Sequence, residues 1–354
     1  MGRVAWGRWV AGAAWLVAAG ILGRTEQAEA NAERLTRWEF RQPQMGTEFK
    51  ILLYTTTEAD ARRASAAAFE RVARLNAILS DYDPESELMR LCAQAGGEPV
   101  PVSEDLYRVL ERAVEVARAT GGAFDPTMGP VVRLWRRARR QRRLPDERDL
   151  AEARRLVDWK LVELDPEQRT VRLGRAGMRL DLGGIAKGYA AAEALKVLEA
   201  QGIRRALVAA AGDIALGEPP PEASGWRIAV ATPDAESGVG PTLVLSGCSV
   251  STSGDAEQFV EIGGVRYSHI VDPRTGIGVQ GRSSATVVGD EGARVDAVAT
   301  ALSVLGPEEG IRVADQLGLA ARVVVVEDSG RAQVRTSRLW ETISEGDAAR
   351  ADER

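Results

Sequence analysis

The 354-residue chain holds a single histidine, His269, in Tyr267-Ser268-His269-Ile270-Val271-Asp272-Pro273-Arg274-Thr275-Gly276. Imidazole alone titrates near pH 7 without help from its surroundings, so neutral-pH proton transfer has one natural agent here. A lone histidine can equally be structural, and its context has to decide. Asp296 and Thr300, in Val295-Asp296-Ala297-Val298-Ala299-Thr300-Ala301-Leu302, stand four positions apart. On a helix that spacing puts a carboxylate and a hydroxyl on one face, a hard-oxygen pair suited to Mg2+ with water and phosphate oxygens completing the shell. The plainer use of the pair is a carboxylate in the first helical turn and a hydroxyl bonded to the carbonyl four residues back.

Three glycine- or hydroxyl-rich segments accompany them. Arg179-Leu180-Asp181-Leu182-Gly183-Gly184-Ile185-Ala186-Lys187-Gly188 reads as a strand passing through glycines into a helix. Such a junction exposes backbone N–H groups and the positive helix end, which suits phosphate, although glycines also serve a plain turn. The glycine spacings of a Walker loop or a dinucleotide fingerprint are absent. The segment from Gly121-Gly122 to Gly129-Pro130 reads as a loop of fixed shape, a connector or a ligand wall. Ser251-Thr252-Ser253-Gly254-Asp255 reads as a small hydroxyl-rich loop or a capped turn.

The elements that must position these residues follow from periodicity. Strands are predicted over 48–54, 179–182, 206–210, 226–232, 243–245, 258–262, 284–288 and 321–326. Helices are predicted over 58–79, from Ser86 onward, over 104–120 with a stop at Gly121-Gly122, and over 185–201, 293–305 and 308–317. Strands and helices mix without strict alternation, which points to an α+β or irregular α/β architecture rather than a doubly wound sheet.

Composition excludes several classes. At 45% hydrophobic and 27% charged the chain can build one large core or two smaller ones. Arg3 and Arg8, the apolar run over 9–22 and Ala28-Glu29-Ala30 resemble an export leader, residues 1–30, with an uncleaved inner-membrane anchor as the alternative. Removing it takes away three arginines and two glutamates, so the net charge of −5 becomes −6. That mild acidity gives no reason to expect nucleic acid as a partner. Seven arginines within 133–143 read as a solvated helix face. Cys92 and Cys248 could pair in an oxidising compartment, and with one histidine they make no convincing zinc site.

Read in order, Met45-Gly46-Thr47, Asp81-Tyr82-Asp83-Pro84-Glu85-Ser86-Glu87-Leu88, Gly122-Ala123-Phe124-Asp125-Pro126-Thr127 and Asp181-Leu182-Gly183-Gly184-Ile185-Ala186-Lys187-Gly188 form the first half of a set. Gly212-Asp213, Thr252-Ser253-Gly254-Asp255, the histidine segment and Asp296-Ala297-Val298-Ala299-Thr300-Ala301-Leu302 complete it. The ordered set resembles the ApbE family of FAD:protein FMN transferases, over about residues 40 to 330. The resemblance implies an α+β, two-lobed, T-fold-related domain over 31–344, with FAD in the cleft between lobes and a charged flexible tail over 345–354. It implies Mg2+-dependent transfer of FMN from FAD to a threonine hydroxyl, with release of AMP, in the periplasm, outside the cell or at the outer face of the inner membrane. Acceptors in the family are flavoprotein subunits of membrane electron-transport complexes, recognised through a Ser/Thr-Gly-Ala-Thr-like segment.

Carried over residue by residue, the resemblance makes Asp296, Thr300 and the backbone at Gly184 and Ala186 metal ligands. Met45, Tyr82, Ala123, Phe124, Asp125, Asp181, Lys187 and Ile270 become FAD contacts, and His269 the base that takes the threonine proton. Where the family reads Asn-Ala-Gly-Gly-Asp, this chain has Ala209-Ala210-Ala211-Gly212-Asp213, and Ala299 stands where some relatives carry a second acid. The metal shell should then contain fewer carboxylates and more water. Hydrolysis of FAD to FMN and AMP is the close alternative, and noncatalytic FAD binding a more distant one. An NAD-dependent oxidoreductase lacks its fingerprint.

Overall fold

The computed structural model describes residues 34–233, 240–255, 258–327 and 329–343, and the expected leader and charged tail lie outside them. The described chain opens with the hairpin β1 (Thr36–Gln44) and β2 (Thr47–Thr55), followed by α1 (Glu58–Leu79) and α2 (Glu87–Ala93). Next come β3 (Val100–Pro101), α3 (Glu104–Ala119), α4 (Gly129–Gln141), α5 (Glu147–Arg154), β4 (Val162–Asp165) and β5 (Thr170–Leu173). Helix α6 (Ala186–Ala200) leads into β6 (Ala206–Ala210), β7 (Asp213–Leu216), β8 (Trp226–Ala229), β9 (Thr242–Leu245) and β10 (Cys248–Gly254). The remainder is β11 (Phe259–Ile262), β12 (Val265–Asp272), β13 (Ile277–Gln280), β14 (Arg282–Gly289), α7 (Gly292–Leu317), β15 (Ala320–Val326) and β16 (Ala332–Thr336).

Eight strands form one antiparallel sheet in the order β1-β2-β6-β7-β10-β14-β15-β16. Side chains alternate across it, so each strand serves two cores. Ala206, Val208, Ala285 and Val287 face the large core with α1, α6 and α7, whereas Leu207 and Val288 face a smaller cluster with Trp226, Leu243 and Trp340. A third cluster joins α4 and α5 to the β11–β13 sheet through Val131, Trp135, Val260, Tyr267 and Val271. The α+β expectation is met, and the histidine hairpin belongs to its own small core.

Local signals place several elements well. Thr57, Ser86 and Ser103 cap α1, α2 and α3 by accepting from the amides of Asp60, Met89 and Leu106. The helices predicted over 293–305 and 308–317 run together as α7, kinked where Gly306 takes φ +76° ahead of Pro307. Two expectations are corrected. Residues 179–182 form no strand: Arg179 makes an isolated bridge to Met128, and the Asp181 amide donates to the Pro126 carbonyl, so the segment pairs with a loop. Ser251–Gly254 is no loop but the end of β10, paired with β14 throughout and with β7 at Ser251, with Thr252 Oγ1 2.9 Å from Thr286 Oγ1. Cys92 and Cys248 are free thiols.

The β6–β7 hairpin turns on Ala211-Gly212, and Ala211 sits at φ +52° where the family pattern has glycine. Left-handed backbone costs a non-glycine residue about 1–2 kcal/mol, against about 0.4–1 kcal/mol of extra unfolded-chain entropy for glycine. Strain relief wins, so Ala211→Gly is expected to stabilise the protein by roughly 0.5–1 kcal/mol. Thermal unfolding checks this, and a lowered midpoint contradicts it.

Candidate active site

Helices α6 and α7 cross so closely that a side chain at Gly188 would put its Cβ 2.2 Å from the Gly292 carbonyl oxygen and 2.7 Å from Asp296 Cβ. That contact lets the Gly188 amide donate to Asp296 Oδ2 at 3.0 Å. Lys187 Nζ lies 3.0 Å from Asp213 Oδ2 and 3.8 Å from Asp296 Oδ2, and it also donates to the Gly183 carbonyl at 3.2 Å. Ser251, opposite Asp213 in the β7–β10 register, donates to Asp213 Oδ1 at 2.6 Å. Two buried carboxylates thus share one ammonium. Burial and the neighbouring Asp213 push the Asp296 carboxyl up to about 7, with Lys187 pulling the other way. Burial opposes the Lys187 charge, but Asp296 and Asp213 outweigh it and hold that ammonium above the usual lysine range.

One helical turn beyond Asp296, Thr300 Oγ1 lies 3.4 Å from Ser253 Oγ. A Cβ on Gly184 would meet Thr300 Oγ1 at 2.8 Å and the Phe124 ring at 3.4 Å, so a side chain there would have to displace the Thr300 hydroxyl. Because the Gly188 amide is turned to Asp296, the Gly184 carbonyl accepts no hydrogen bond among the described residues. Ala186 begins α6, where a carbonyl normally enters the helical ladder, so Gly184 offers the freer backbone oxygen. These donors fit Mg2+. They are hard oxygens from a carboxylate, a hydroxyl and a carbonyl, and the carboxylate pair lacks one positive charge. Among the described residues no cluster of three or more His, Cys, Asp or Glu could hold a metal, so any ion here relies on hydroxyl, carbonyl, water or substrate oxygens.

His269 is half-buried on β12, inside a register irregularity between Tyr267 and Val271 against β13. Bulges re-aim side chains, and here the Ile270 amide is satisfied by Ser268 Oγ at 3.1 Å rather than by the ladder. The imidazole Nδ1 and the His269 amide both lie 3.1 Å from the Gln258 carbonyl oxygen. A carbonyl can only accept, so Nδ1 carries the proton and Nε2 keeps its lone pair. Burial lowers the His269 pKa, and the positive charges of Arg139 and Lys187 lower it further, against the carbonyl at Gln258 and the charge of Asp255. The hairpin is anchored by Arg266, whose Nε donates to buried Asp255 Oδ2 and whose guanidinium lies 3.3 Å from the Phe259 ring centroid.

The flavin-contact candidates do not all lie together. Asp181, Lys187 and Phe124 converge with Gly184, Asp296 and Thr300. Tyr82 is 77% exposed with the Arg136 guanidinium 4.0 Å over its ring, and Arg136 ion-pairs with both Asp81 and Asp181. Burial and the nearby Asp81 raise the Asp181 pKa. Asp125 is spent on its own loop, accepting from the Thr127 amide and hydroxyl and from the Trp159 amide. Ala123 and Ile270 are buried, and Met45 takes φ +50° at the tip of the β1–β2 hairpin.

The arginine-rich segment is a helix as expected, but it is not uniformly solvated. Trp135 is buried and donates to the Gly276 carbonyl at 2.7 Å, which turns Arg136 inward. Asp213, Ser251, Ser253 and Arg136 had no assigned role in the sequence. The signal for Asp213 was a charged residue opening a strand straight after a tight turn, a position with no structural need for a carboxylate.

A single histidine gives a single imidazole signal, so its titration is directly readable by proton NMR. The neutral base exists above its pKa, and lowering that pKa keeps Nε2 available at pH 7. An unperturbed imidazole of pKa about 6.5 would be about a quarter protonated there. The expected midpoint lies below 6.5, with the base form lost only as pH falls through it; a midpoint at or above 6.5 contradicts the geometry.

The ApbE family model matches residues 45–323. FAD:protein FMN transferase of Treponema pallidum is 36% identical over 75% of this chain and 78% of its own length. The protein of that name from Vibrio cholerae is 31% identical over 89% of this chain and 95% of its own. Among solved structures, the flavin transferase ApbE of Vibrio cholerae superposes with TM-score 0.80 at 28% identity, covering 88% of this chain and all of that one. The ApbE protein of Thermotoga maritima gives TM-score 0.78 at the same identity and coverage. Fold, motif order and sequence agree along most of its length, and the chain belongs to the ApbE family.

Proposed function

We propose that this ApbE-family enzyme transfers the FMN half of FAD onto a threonine hydroxyl of an acceptor protein and releases AMP. The observation that carries the reading is the Lys187 ammonium held between Asp213 and Asp296, with an imidazole whose Nε2 keeps its lone pair on β12, a strand that packs against the helix of Asp296 and Thr300. His269 Nε2 takes the proton of the attacking hydroxyl. The new bond joins threonine oxygen to the FMN phosphorus, and the bond that breaks is the bridging P–O to AMP, which leaves with the electron pair. The N-terminal end of α6 presents positive partial charge to the pyrophosphate, and Lys187, shared by Asp213 and Asp296, offsets part of the carboxylate charge that would repel it. Asp296, Thr300 and the carbonyl at Gly184, with Ala186 beside it, would hold Mg2+, which neutralises phosphate charge when bound. Arg136 orients Asp181 and Tyr82 toward the nucleotide.

The expected leader supports action in the periplasm or at the outer face of the inner membrane. Acceptors would be subunits of membrane electron-transport complexes with a Ser/Thr-Gly-Ala-Thr-like segment. Incubation with FAD, Mg2+ and a carrier protein bearing that segment is expected to give flavin fluorescence on the carrier in a denaturing gel, with one AMP per flavin. Free FMN alone would make the protein a hydrolase, and bound FAD with no AMP at any Mg2+ concentration would make it a binding protein. His269→Ala is expected to keep FAD binding and lose transfer by roughly 10²–10⁴-fold. Transfer at the parental rate would remove the base assignment.

A further inference from the structure

Beside the histidine lies a cavity of about 760 Å3 between the C-terminal end of α4 and the β11 edge of the hairpin. Gln258, whose carbonyl holds the imidazole, lines it. Arg139, Arg140 and Arg142 line its other side, and among the described residues none has an ion-pair partner. Arg136 is already spent on Asp81 and Asp181, and the one acid in the wall is Glu261, so the cleft is basic on a chain whose net charge is −5. Phe259, 39% exposed, adds an aromatic ring to the cleft, and Tyr82, already given to the nucleotide together with Arg136, stands at its border. Arginine and aromatic side chains exposed together are the composition of a protein-docking surface.

We propose that this cleft docks an acidic segment of the acceptor protein, flanking the threonine presented to His269; the inference rests on the transferase reading. A threonine hydroxyl must come within about 3 Å of Nε2 to give up its proton. Residues beside it must then lie on the surfaces that border His269, and the cavity that shares Gln258 is one of them. The unpaired arginines steer an oppositely charged segment there and set its register.

The test uses fluorescent peptides carrying Ser-Gly-Ala-Thr flanked either by aspartates or by glutamines, with binding read by anisotropy and flavin transfer read separately. The protein is expected to bind the acid-flanked peptide roughly tenfold more tightly at low salt, with the preference shrinking as salt rises. Arg140→Glu/Arg142→Glu should abolish that preference and Arg140→Gln/Arg142→Gln should reduce it, both with FAD affinity unchanged. Arg139 is left in place because its charge also reaches His269. A control with the same charge change outside the cleft, Arg118→Glu/Arg204→Glu, should keep the preference. The proposal is overturned if the preference survives in the cleft variant or is lost equally in the control. It is also overturned if FAD affinity falls in the cleft variant, which would give the cleft to the dinucleotide. Binding in the cleft without flavin transfer to either peptide would sink the transferase reading and leave docking standing, whereas equal binding and equal transfer would do the reverse.

Discussion

Asp213 and Asp296 are buried and share the ammonium of Lys187, and this uneven charge balance is the constraint that the rest of the site serves. Removing a carboxylate from water costs several kcal/mol unless a partner replaces the lost solvation. The fold supplies one cation for two acids. Further satisfaction comes from neutral donors, the Gly188 amide on Asp296 and the Ser251 hydroxyl on Asp213. A site left short of positive charge and offering hard oxygen ligands would suit a divalent cation bound together with a polyphosphate.

That arrangement explains features that otherwise look arbitrary. The α6–α7 crossing must be close for the Gly188 amide to reach Asp296, and glycines at 188 and 292 allow it. Diverting that amide frees the Gly184 carbonyl beside Thr300. Strand β10 must be small and hydroxyl-bearing on its α7-facing side, since Ser251 reaches Asp213 and Ser253 reaches Thr300. The histidine arrives from a different core. Its hairpin packs on α4 through Trp135 and Tyr267, whose rings lie 5.5 Å apart, so base and charge cluster are held by separately packed units.

How much of this the sequence discloses depends on which forces leave a local trace. Helix α1 is legible to its ends because apolar spacing, Thr57 and the following turn agree. The Asp296/Thr300 pairing is legible because it lies within one helix. Strand β10 is not, since its serines and threonines lack apolar alternation and its extension is imposed by β7 and β14. The reach of Lys187 to Asp213 and of Arg136 to Asp81 and Asp181 depends on contacts distant in sequence, which spacing cannot encode. The histidine itself was legible by uniqueness, but its tautomer follows only from the Gln258 carbonyl across the hairpin.

The charge imbalance is open to direct measurement. Mn2+ can replace Mg2+ as a spin probe, and titration followed by electron paramagnetic resonance counts the ions held by the protein. One site per chain is expected, weakened at least about tenfold by Asp296→Asn, because that change removes the carboxylate that lies one helical turn from Thr300. Equal Mn2+ affinity in the parent and in Asp296→Asn would contradict it.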